Sequence, residues 1–232
     1  MAELTTRIPP GLIPPLENGD RLTRDEFERR YHATPHINKA ELIEGVVYMP
    51  SPVRLMHHGN PHYQLIAWAG MYSTMTPGIF GCDNTTVRLD VHNEPQPDVA
   101  LLIDPARGGQ ARISADDYLE HAPELVAEIA ASSASIDTNT KAEVYRRTGV
   151  REYIIWRVLD EEIDWFVLRD EQFVPLIPDA KGVYKSEVFP GLWLDADALI
   201  RDDRKRLVRV ARKGTSSPEY AAFVAKLEDA TS

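Results

Sequence analysis

Two short, almost wholly apolar segments constrain the fold of this chain more than any other feature of its sequence. Residues 97–104 read PDVALLID, and residues 124–132 read ELVAEIAAS. A strand with one face in water alternates polar and apolar residues, whereas a continuous apolar run is typical of a strand covered on both faces. We therefore expect both segments to lie inside a central sheet.

The remaining elements follow from hydrophobic periodicity and from turn residues. For the helix in residues 22–34, Thr23 is predicted to be the N-cap and to form a capping box with Glu26. Val87, Leu89 and Val91 are predicted to share one strand face, since they alternate along the chain. The other predicted elements are a β segment starting at residue 41, helices at about 61–75 and 137–149, and strands at 85–91, 151–160 and 162–177. In order, the elements read α, β, α, β, β, β, α, β, β, which is typical of a mixed α/β or α+β domain with a central sheet.

The chain divides into three predicted parts. Its 232 residues suit one domain of generous size. Residues 1–20 are rich in proline and favour an extended arm, residues 21–200 form the predicted domain, and residues 201–232 form a basic, helical tail. Within the tail, residues 201–213 carry seven basic and two acidic side chains. A solvated helix face is the simplest interpretation of that run.

Composition excludes several classes of protein. The single cysteine, Cys82, rules out an internal disulfide, and no cysteine and histidine spacing matches a structural zinc site. No run approaches the roughly 20 apolar residues that a membrane helix needs, so we expect a soluble cytoplasmic protein. As a whole-chain number, the net charge of −10 opposes binding to nucleic acid, because lysine and arginine drive phosphate binding. It does not exclude a nuclease, since a charge of +5 falls in residues 201–213 and a bound cation would neutralise several of the acids. It predicts weak, salt-sensitive affinity for DNA without metal.

Acidic residues occur where they are costly to bury. Asp98 opens one apolar strand and Glu128 lies inside the other, while Glu41 and Glu44 flank the start of the β segment after residue 40. A buried carboxylate without a partner costs several kcal/mol. Two on adjacent strands indicate a cation between them, either a metal or a basic side chain. The alternative is that each acid lies at a sheet end in solvent.

Lys141 is the candidate basic partner. It starts the helix that follows the Glu128 strand, and Tyr145 lies one turn further on the same helix face. Two carboxylates and a lysine suit phosphodiester hydrolysis, in which the acids hold Mg²⁺ or Mn²⁺ and the lysine orients water or stabilises developing charge. Taken alone, Lys141 is also an ordinary helix lysine.

Four segments together resemble the Uma-two family of restriction endonucleases. They are ELIEGVVYMPSP with the later HHG (41–59), PQPDVA (95–100), ELVAEIAASSASIDTNTKAEVY (124–145) and GVREYIIWRV (149–158). The resemblance covers about residues 22–200. It implies the PD-(D/E)XK nuclease fold, a central mixed β-sheet flanked by helices. It also implies that Asp98 is the motif aspartate, Glu128 the second acid, Glu41 the early glutamate and His58 the histidine that opens the following helix.

One position departs from the standard motif of that superfamily. The motif places a lysine two residues after the second acid, but the residue here is Ala130. The resemblance implies that Lys141 on the following helix takes this role. Near His58, His57 and His62 are more simply interpreted as ordinary hydrogen-bonding residues. For His58 itself, the resemblance implies contact with a site residue or proton transfer.

The leading hypothesis is a Mg²⁺-dependent endonuclease that cuts DNA. Its catalytic residues would be Asp98, Glu128, Lys141 and Glu41, with Asp98, Glu128 and Glu41 on the metal; His58, Tyr145 and Glu44 would support them. The alternative is a degenerate nuclease fold kept as a binding or regulatory module, with the acids and Lys141 as a structural ion pair. Glycoside hydrolysis by paired carboxylates explains neither Lys141 nor the strand context. A homodimer is expected, because enzymes that cut both strands commonly present two copies of one site.

Overall fold

The structure is a computed structural model, which describes residues 12–49, 52–131 and 136–230. Its α-helices are α1 (Arg24–His32), α2 (Asn60–Met75), α3 (Ala142–Thr148), α4 (Ala196–Ile200), α5 (Arg204–Gly214) and α6 (Pro218–Asp229). None of these helices has both the length and the apolar character that crossing a membrane requires.

Short strands make up most of the rest. They are β1 (Glu41–Ile43), β2 (Val46–Tyr48), β3 (Ile79–Cys82), β4 (Val87–Arg88), β5 (Val99–Ile103), β6 (Arg112–Ile113), β7 (Leu119–Glu120), β8 (Leu125–Ala130), β9 (Glu152–Arg157), β10 (Glu162–Arg169), β11 (Gln172–Pro175), β12 (Val183–Lys185) and β13 (Trp193–Asp195). Six of them form one central sheet in the order β11-β10-β9-β8-β5-β3. Only β8 and β9 pair in parallel within it, so the sheet is mixed, and the predicted fold class is confirmed.

Both predicted apolar strands lie inside this sheet and are buried on both faces. In β8, Leu125, Ala127 and Ile129 belong to the core cluster that contains residues of α2, α4 and α5. Val126 and Ala130 alternate with them and pack in the opposite cluster, beneath α3. Every residue of β5 and β8 is buried. This burial explains why neither segment alternates in sequence.

The parallel pairing of β8 with β9 dictates what lies between them. Two parallel strands cannot be joined by a tight turn and need a crossover, usually helical. Here a π-helical turn (Ile136–Lys141) leads directly into α3, which ends at Gly149 in a left-handed conformation with φ of 93°. The crossover therefore carries Lys141 and Tyr145 back over the face of β8.

An N-terminal unit packs beside the central sheet. Strands β1 and β2 form a hairpin whose turn residues, Glu44 and Gly45, both have positive φ, as a tight hairpin turn requires. Leu16 is buried against this unit, in a cluster with Phe27 and Leu42. The proline-rich arm predicted for residues 1–20 is thus wrong at its C-terminal end. Residues 1–11 lie outside the described part of the chain.

Two local predictions are also wrong. Thr23 is the N-cap of α1, but its side chain makes no capping hydrogen bond, and Glu26 instead pairs with Arg29 and Arg30, so no capping box forms. Val91 is exposed rather than on the inner face, because Asp90 starts a turn in which it accepts a hydrogen bond from the backbone N–H of residue 92.

Strand boundaries also differ from the sequence prediction. The strand predicted at 85–91 shortens to β4, which pairs with β7 in a separate three-stranded sheet. The strand predicted at 162–177 is a hairpin of β10 and β11, with Asp170 and Glu171 at positive φ in its turn. Positive φ is uncommon outside glycine. Because neither turn residue is a glycine, the sequence did not indicate a turn here.

The predicted C-terminal tail is part of the domain. Leu207 and Ala211 of α5 and Leu227 of α6 are buried in the same core cluster as the central strands. Arg206 also pairs with Asp195 at the end of β13, with 2.6 Å between Nε and Oδ2. The boundary predicted at residue 200 therefore cuts through a packed layer.

A buried carboxyl group, that of Glu94, lies next to α1. Glu94 is 2% exposed, and its Oε2 has no hydrogen-bond donor among the described residues. Glu28 of α1 lies beside it and binds Arg88 through both carboxylate oxygens. Burial, followed by the Glu28 carboxylate, raises the pKa of Glu94 to about 9. A protonated Glu94 can donate a hydrogen bond to Glu28, which the ionised form cannot.

This raised pKa makes stability depend on pH. An unfolded glutamate ionises near pH 4.5, whereas folded Glu94 keeps its proton, so its contribution is complete below pH 4.5 and is lost as the pH rises toward 9. We expect Glu94→Gln, which mimics the neutral form, to match the wild type near pH 4.5 and to exceed it at pH 8 by at least ~1.4 kcal/mol, the equivalent of one pKa unit.

Urea unfolding at both pH values measures this difference. Glu161→Gln, at an exposed turn, is the matched control and should track the wild type at both. A Glu94→Gln variant that is less stable than wild type at pH 8 would show that Glu94 is ionised in the folded state.

Candidate active site

Asp98 and Glu128 come together at the ends of two neighbouring strands. Strands β5 and β8 are antiparallel, with Val99 opposite Ala127. Continuing this register by one residue places Asp98 opposite Glu128. The backbone N–H of Asp98 donates to Glu128 Oε2 (3.3 Å), and that of Ile129 donates to Asp98 Oδ2 (2.8 Å). The two carboxylates therefore continue the ladder of the sheet beyond its last backbone pair.

Lys39 and the imidazole of His58 lie beside the buried carboxylate of Asp98. The residue is 4% exposed. Lys39 Nζ lies 3.7 Å from its Oδ1, and His58 Nε2 lies 3.4 Å from its Oδ2. Burial opposes ionisation, but His58 and Lys39 outweigh it and lower the pKa of Asp98 to about 2. Asp98 is therefore a carboxylate at neutral pH, as a metal ligand must be.

Glu128 lies on the face of β8 that α3 covers. Lys141 Nζ donates to its Oε1 at 3.0 Å, and the Tyr145 hydroxyl donates to the same oxygen at 2.8 Å. Burial, with the Glu128 carboxylate next, raises the pKa of Tyr145 well above its ordinary value, so the hydroxyl keeps its proton. One helical turn separates Lys141 from Tyr145, and both reach one carboxylate because residues four apart share a helix face.

Glu41 is the third acid of the site, at the start of β1. Its Oε1 accepts from Lys141 Nζ at 2.9 Å and from the backbone N–H of Gln96 at 2.7 Å. The ammonium of Lys141 therefore lies between Glu41 and Glu128. Lys141 is 6% exposed, and a lysine buried to this degree needs such partners.

Two π-helical turns deliver site residues. One is Ile136–Lys141 and the other is Leu55–Gly59, which precedes α2 and contains His58. Such turns are rare and often occur at functional sites. One turn after His58, His62 bonds the carbonyl oxygen of Asp98 at 2.8 Å. The interpretation of His62 as an ordinary hydrogen-bonding residue agrees with this contact, although the contact lies within the site.

Glu44, predicted to support the site, lies elsewhere. It occupies the β1–β2 turn, where its side chain contacts Asn93 and Arg147. A turn residue between antiparallel strands points away from the sheet end that Glu41 occupies. Ala130, at the standard lysine position, is buried in the apolar cluster beneath α3, while Lys141 reaches Glu128 from the helix.

The sequence prediction missed Lys39 and Gln96. Lys39 lies in the loop before β1, and besides Asp98 it bonds Asn84 Oδ1 at 2.5 Å. Only its position two residues before Glu41 could have indicated a role. Gln96 acts through its backbone N–H, which no side-chain motif records. It is nevertheless part of the P-Q-P-D segment that contains Asp98.

The donor set fits a hard divalent cation held by two carboxylates. Among the described residues, no three acidic, histidine or cysteine side chains converge on one point that could hold a metal ion. Mg²⁺ commonly takes only one or two carboxylates and fills its remaining positions with water and substrate phosphate. Asp98 and Glu128 meet that requirement. Glu41 accepts from Lys141 and from the backbone N–H of Gln96, both through Oε1, and its role as a third ligand stays a prediction.

A comparison with solved structures agrees with the fold. The chain is similar in fold to a solved structure from Anabaena variabilis described as a "putative nuclease belonging to DUF820", with 13% sequence identity and a TM-score of 0.54. The alignment covers 77% of this chain and 99% of that one. Among curated proteins, none matches the sequence.

A family profile gives the stronger result. The profile of the Uma2 family, described as "Putative restriction endonuclease", matches residues 24–197. This match covers most of the chain, including α1, every strand of the central sheet, and Glu41, Asp98, Glu128 and Lys141. The chain therefore belongs to the Uma2 restriction-endonuclease family.

Proposed function

We propose that this protein is a metal-dependent endonuclease that hydrolyses phosphodiester bonds of DNA. The observation that carries the proposal is the convergence of Asp98, Glu128 and Lys141 at one end of the central sheet. Family membership supports a nuclease at a coarser level. Two carboxylates with a neighbouring ammonium match the requirements of phosphoryl transfer, where negative charge develops on the phosphate oxygens.

Asp98 and Glu128 are the proposed ligands of Mg²⁺ or Mn²⁺. When bound, the metal would polarise a phosphate oxygen and lower the pKa of bound water. The chain's own residues prepare for it. His58 and Lys39 keep Asp98 ionised, while Tyr145 fixes the Glu128 side chain through its hydroxyl. Tyr145 is thus a positioning residue in this proposal.

Lys141 is the proposed group that orients the attacking water or stabilises charge on the phosphate. Its ammonium has two carboxylate partners. If Glu128 becomes a metal ligand, Glu41 still provides a counter-charge and a fixed position for Lys141. We therefore assign Glu41 to holding Lys141 rather than to the metal.

A cleavage assay on supercoiled plasmid with Mg²⁺ or Mn²⁺ tests the proposal. We expect Asp98→Asn and Lys141→Met each to lower the cleavage rate by at least ~100-fold, the effect of losing one group that stabilises transition-state charge. Glu143→Gln, an exposed acid on α3, should cut at the wild-type rate. Circular dichroism must show that each variant is folded, and Asp98→Asn is the decisive one because it preserves side-chain shape.

Equal cleavage by the wild type and both site variants would contradict the assignment, since the activity would then come from a contaminant. Loss of activity in the Glu143→Gln control as well would place the effect outside the proposed site.

The second candidate function is a nuclease fold retained as a binding or regulatory module. The observation that favours it is that Lys141 already pairs with both Glu128 and Glu41. In that case the three residues form a structural ion pair. Removing one partner from such a buried pair typically costs about 3–5 kcal/mol, because it leaves an uncompensated charge.

Calorimetric titration with Mn²⁺ separates the two functions. For the nuclease we expect saturable binding by the wild type, loss of at least ~10-fold in affinity in Asp98→Asn, and near-wild-type affinity in Glu41→Gln, because Glu41 holds Lys141 and not the metal. Absence of saturable binding by the folded wild type would favour the module. Loss of binding in Glu41→Gln would return Glu41 to the set of ligands.

Two other parts of the sequence prediction, the homodimer and the cytoplasmic location, stay predictions. Light scattering at micromolar concentration tests the dimer, and a monomer would exclude it.

A further inference from the structure

Helix α5 presents a face on which every charged side chain is basic. Lys205, Arg209 and Arg212 are exposed and follow one another at intervals of four and three residues, so they share one face. The buried residues of the helix, Leu207, Ala211 and Gly214, lie on the opposite side. We call Lys205, Arg209 and Arg212 the basic face. Helix α5 lies beyond residues 24–197, which the family profile matches.

The basic face has no acidic partners within the described residues, whereas its neighbours do. Arg204 pairs with Asp202, and Arg206 pairs with Asp195. The chain has 36 acidic and 26 basic residues, so the lack of partners does not reflect a shortage of acids. Solvated helix faces usually mix both signs of charge. This face departs from that pattern.

This arrangement is unfavourable for the helix by itself. Lys205 and Arg209 are like charges at i and i+4, and Arg209 and Arg212 are like charges at i and i+3, and both spacings destabilise a helix. Lys205 also lies in the first turn, where the helix dipole disfavours a cation. The helix tolerates this through its buried face and through the Asp203 side chain, which caps its N-terminus. A bound polyanion would remove the repulsion.

The spacing of the basic face suits a nucleic-acid backbone. Lys205 and Arg212 are seven residues apart, which corresponds to about 10 Å along a helix. Over that distance one DNA strand presents about three phosphates, at roughly 3.4 Å of axial rise each. Three cations in a row therefore face a similar number of anions.

Helix α5 is connected to the site through α2. Helix α5 packs against α2, and Arg204 at its start lies near Tyr63. Tyr63 is an exposed residue of α2 and directly follows His62, which bonds the carbonyl of Asp98.

We propose that the basic face is a docking surface for the phosphate backbone of duplex DNA, separate from the catalytic groups. The proposal rests on the function proposed above, because DNA is the substrate assumed there. Contacts to phosphates carry no sequence information, so the surface would hold the duplex without selecting a site. Its loss should raise KM while kcat stays near that of the wild type.

The test measures the affinity of the full-length protein for a labelled 30-base-pair duplex, by fluorescence anisotropy in Ca²⁺ over a series of KCl concentrations. We expect the variant Lys205→Gln/Arg209→Gln/Arg212→Gln to bind at least ~10-fold more weakly at low salt. The slope of log Kd against log salt should fall by about two to three, since each lost phosphate contact removes roughly 0.9.

A matched control removes the same net charge elsewhere. Arg112 and Arg169 pair with acids at distant strand ends, and Lys181 is exposed in the loop before β12. The variant Arg112→Gln/Arg169→Gln/Lys181→Gln should keep the wild-type salt slope. A charge-preserving variant, Lys205→Arg/Arg209→Lys/Arg212→Lys, should bind within about threefold of the wild type and shows that charge, not packing, is measured.

Each outcome decides the proposal. If the α5 variant and the control variant lose the same affinity for the duplex, binding depends on net charge and the docking surface is overturned. An unchanged affinity in the α5 variant would overturn it as well. Suppose that cleavage depends on Asp98 but the α5 variant binds the duplex as tightly as the wild type does. The proposed function would then stand, and only the docking surface would be rejected. If the wild type binds no duplex even at low salt, the proposed function itself fails.

Discussion

The ammonium of Lys141 between Glu41 and Glu128 is the interaction on which the rest of the structure depends. It joins the N-terminal hairpin, the central strand β8 and the crossover that leads to β9, three parts of the chain that are distant in sequence. Two carboxylates in a low-dielectric interior repel each other and resist desolvation. A shared cation offsets both costs, and it thereby fixes the hairpin against the sheet. The same contact therefore balances the buried charges and holds the hairpin in place.

The topology of the sheet explains why a lysine on a helix can replace one on the strand. Alternation along β8 directs Ala130 to the same face as Glu128. A lysine could therefore approach the carboxylate from position 130 of the strand or from a helix that covers this face. Because β8 and β9 are parallel, a helical crossover must return over the sheet. In this chain Ala130 fills the apolar layer with a small side chain, while the crossover brings Lys141 to within 3.0 Å of Glu128.

The sequence predicted the fold class and the side chains that converge at the sheet end because these depend on local, strongly patterned signals. The apolar strands around Asp98 and Glu128 and the helix after Lys141 belong to this group. What failed had both local and distant causes. The capping box is lost to a local competition, because Glu26 pairs with Arg29 and Arg30 of its own helix. The packing of α5 depends instead on a core assembled from the whole chain. Lys39 carried no motif, and its proximity to Asp98 arises only when a loop folds against the sheet.

The way in which Asp98 and Glu128 accept backbone N–H groups has a consequence for how the site responds to its ligands. The two side chains take the place of main-chain carbonyls at the end of the β5–β8 pair. Any ligand that draws Glu128 away from the amide of Asp98 must also loosen that strand end. By linkage, whatever tightens or frays the strand end alters affinity at the carboxylates by the same free energy. The rate of amide hydrogen exchange at Asp98 and Ile129 would therefore change when a ligand binds the two carboxylates.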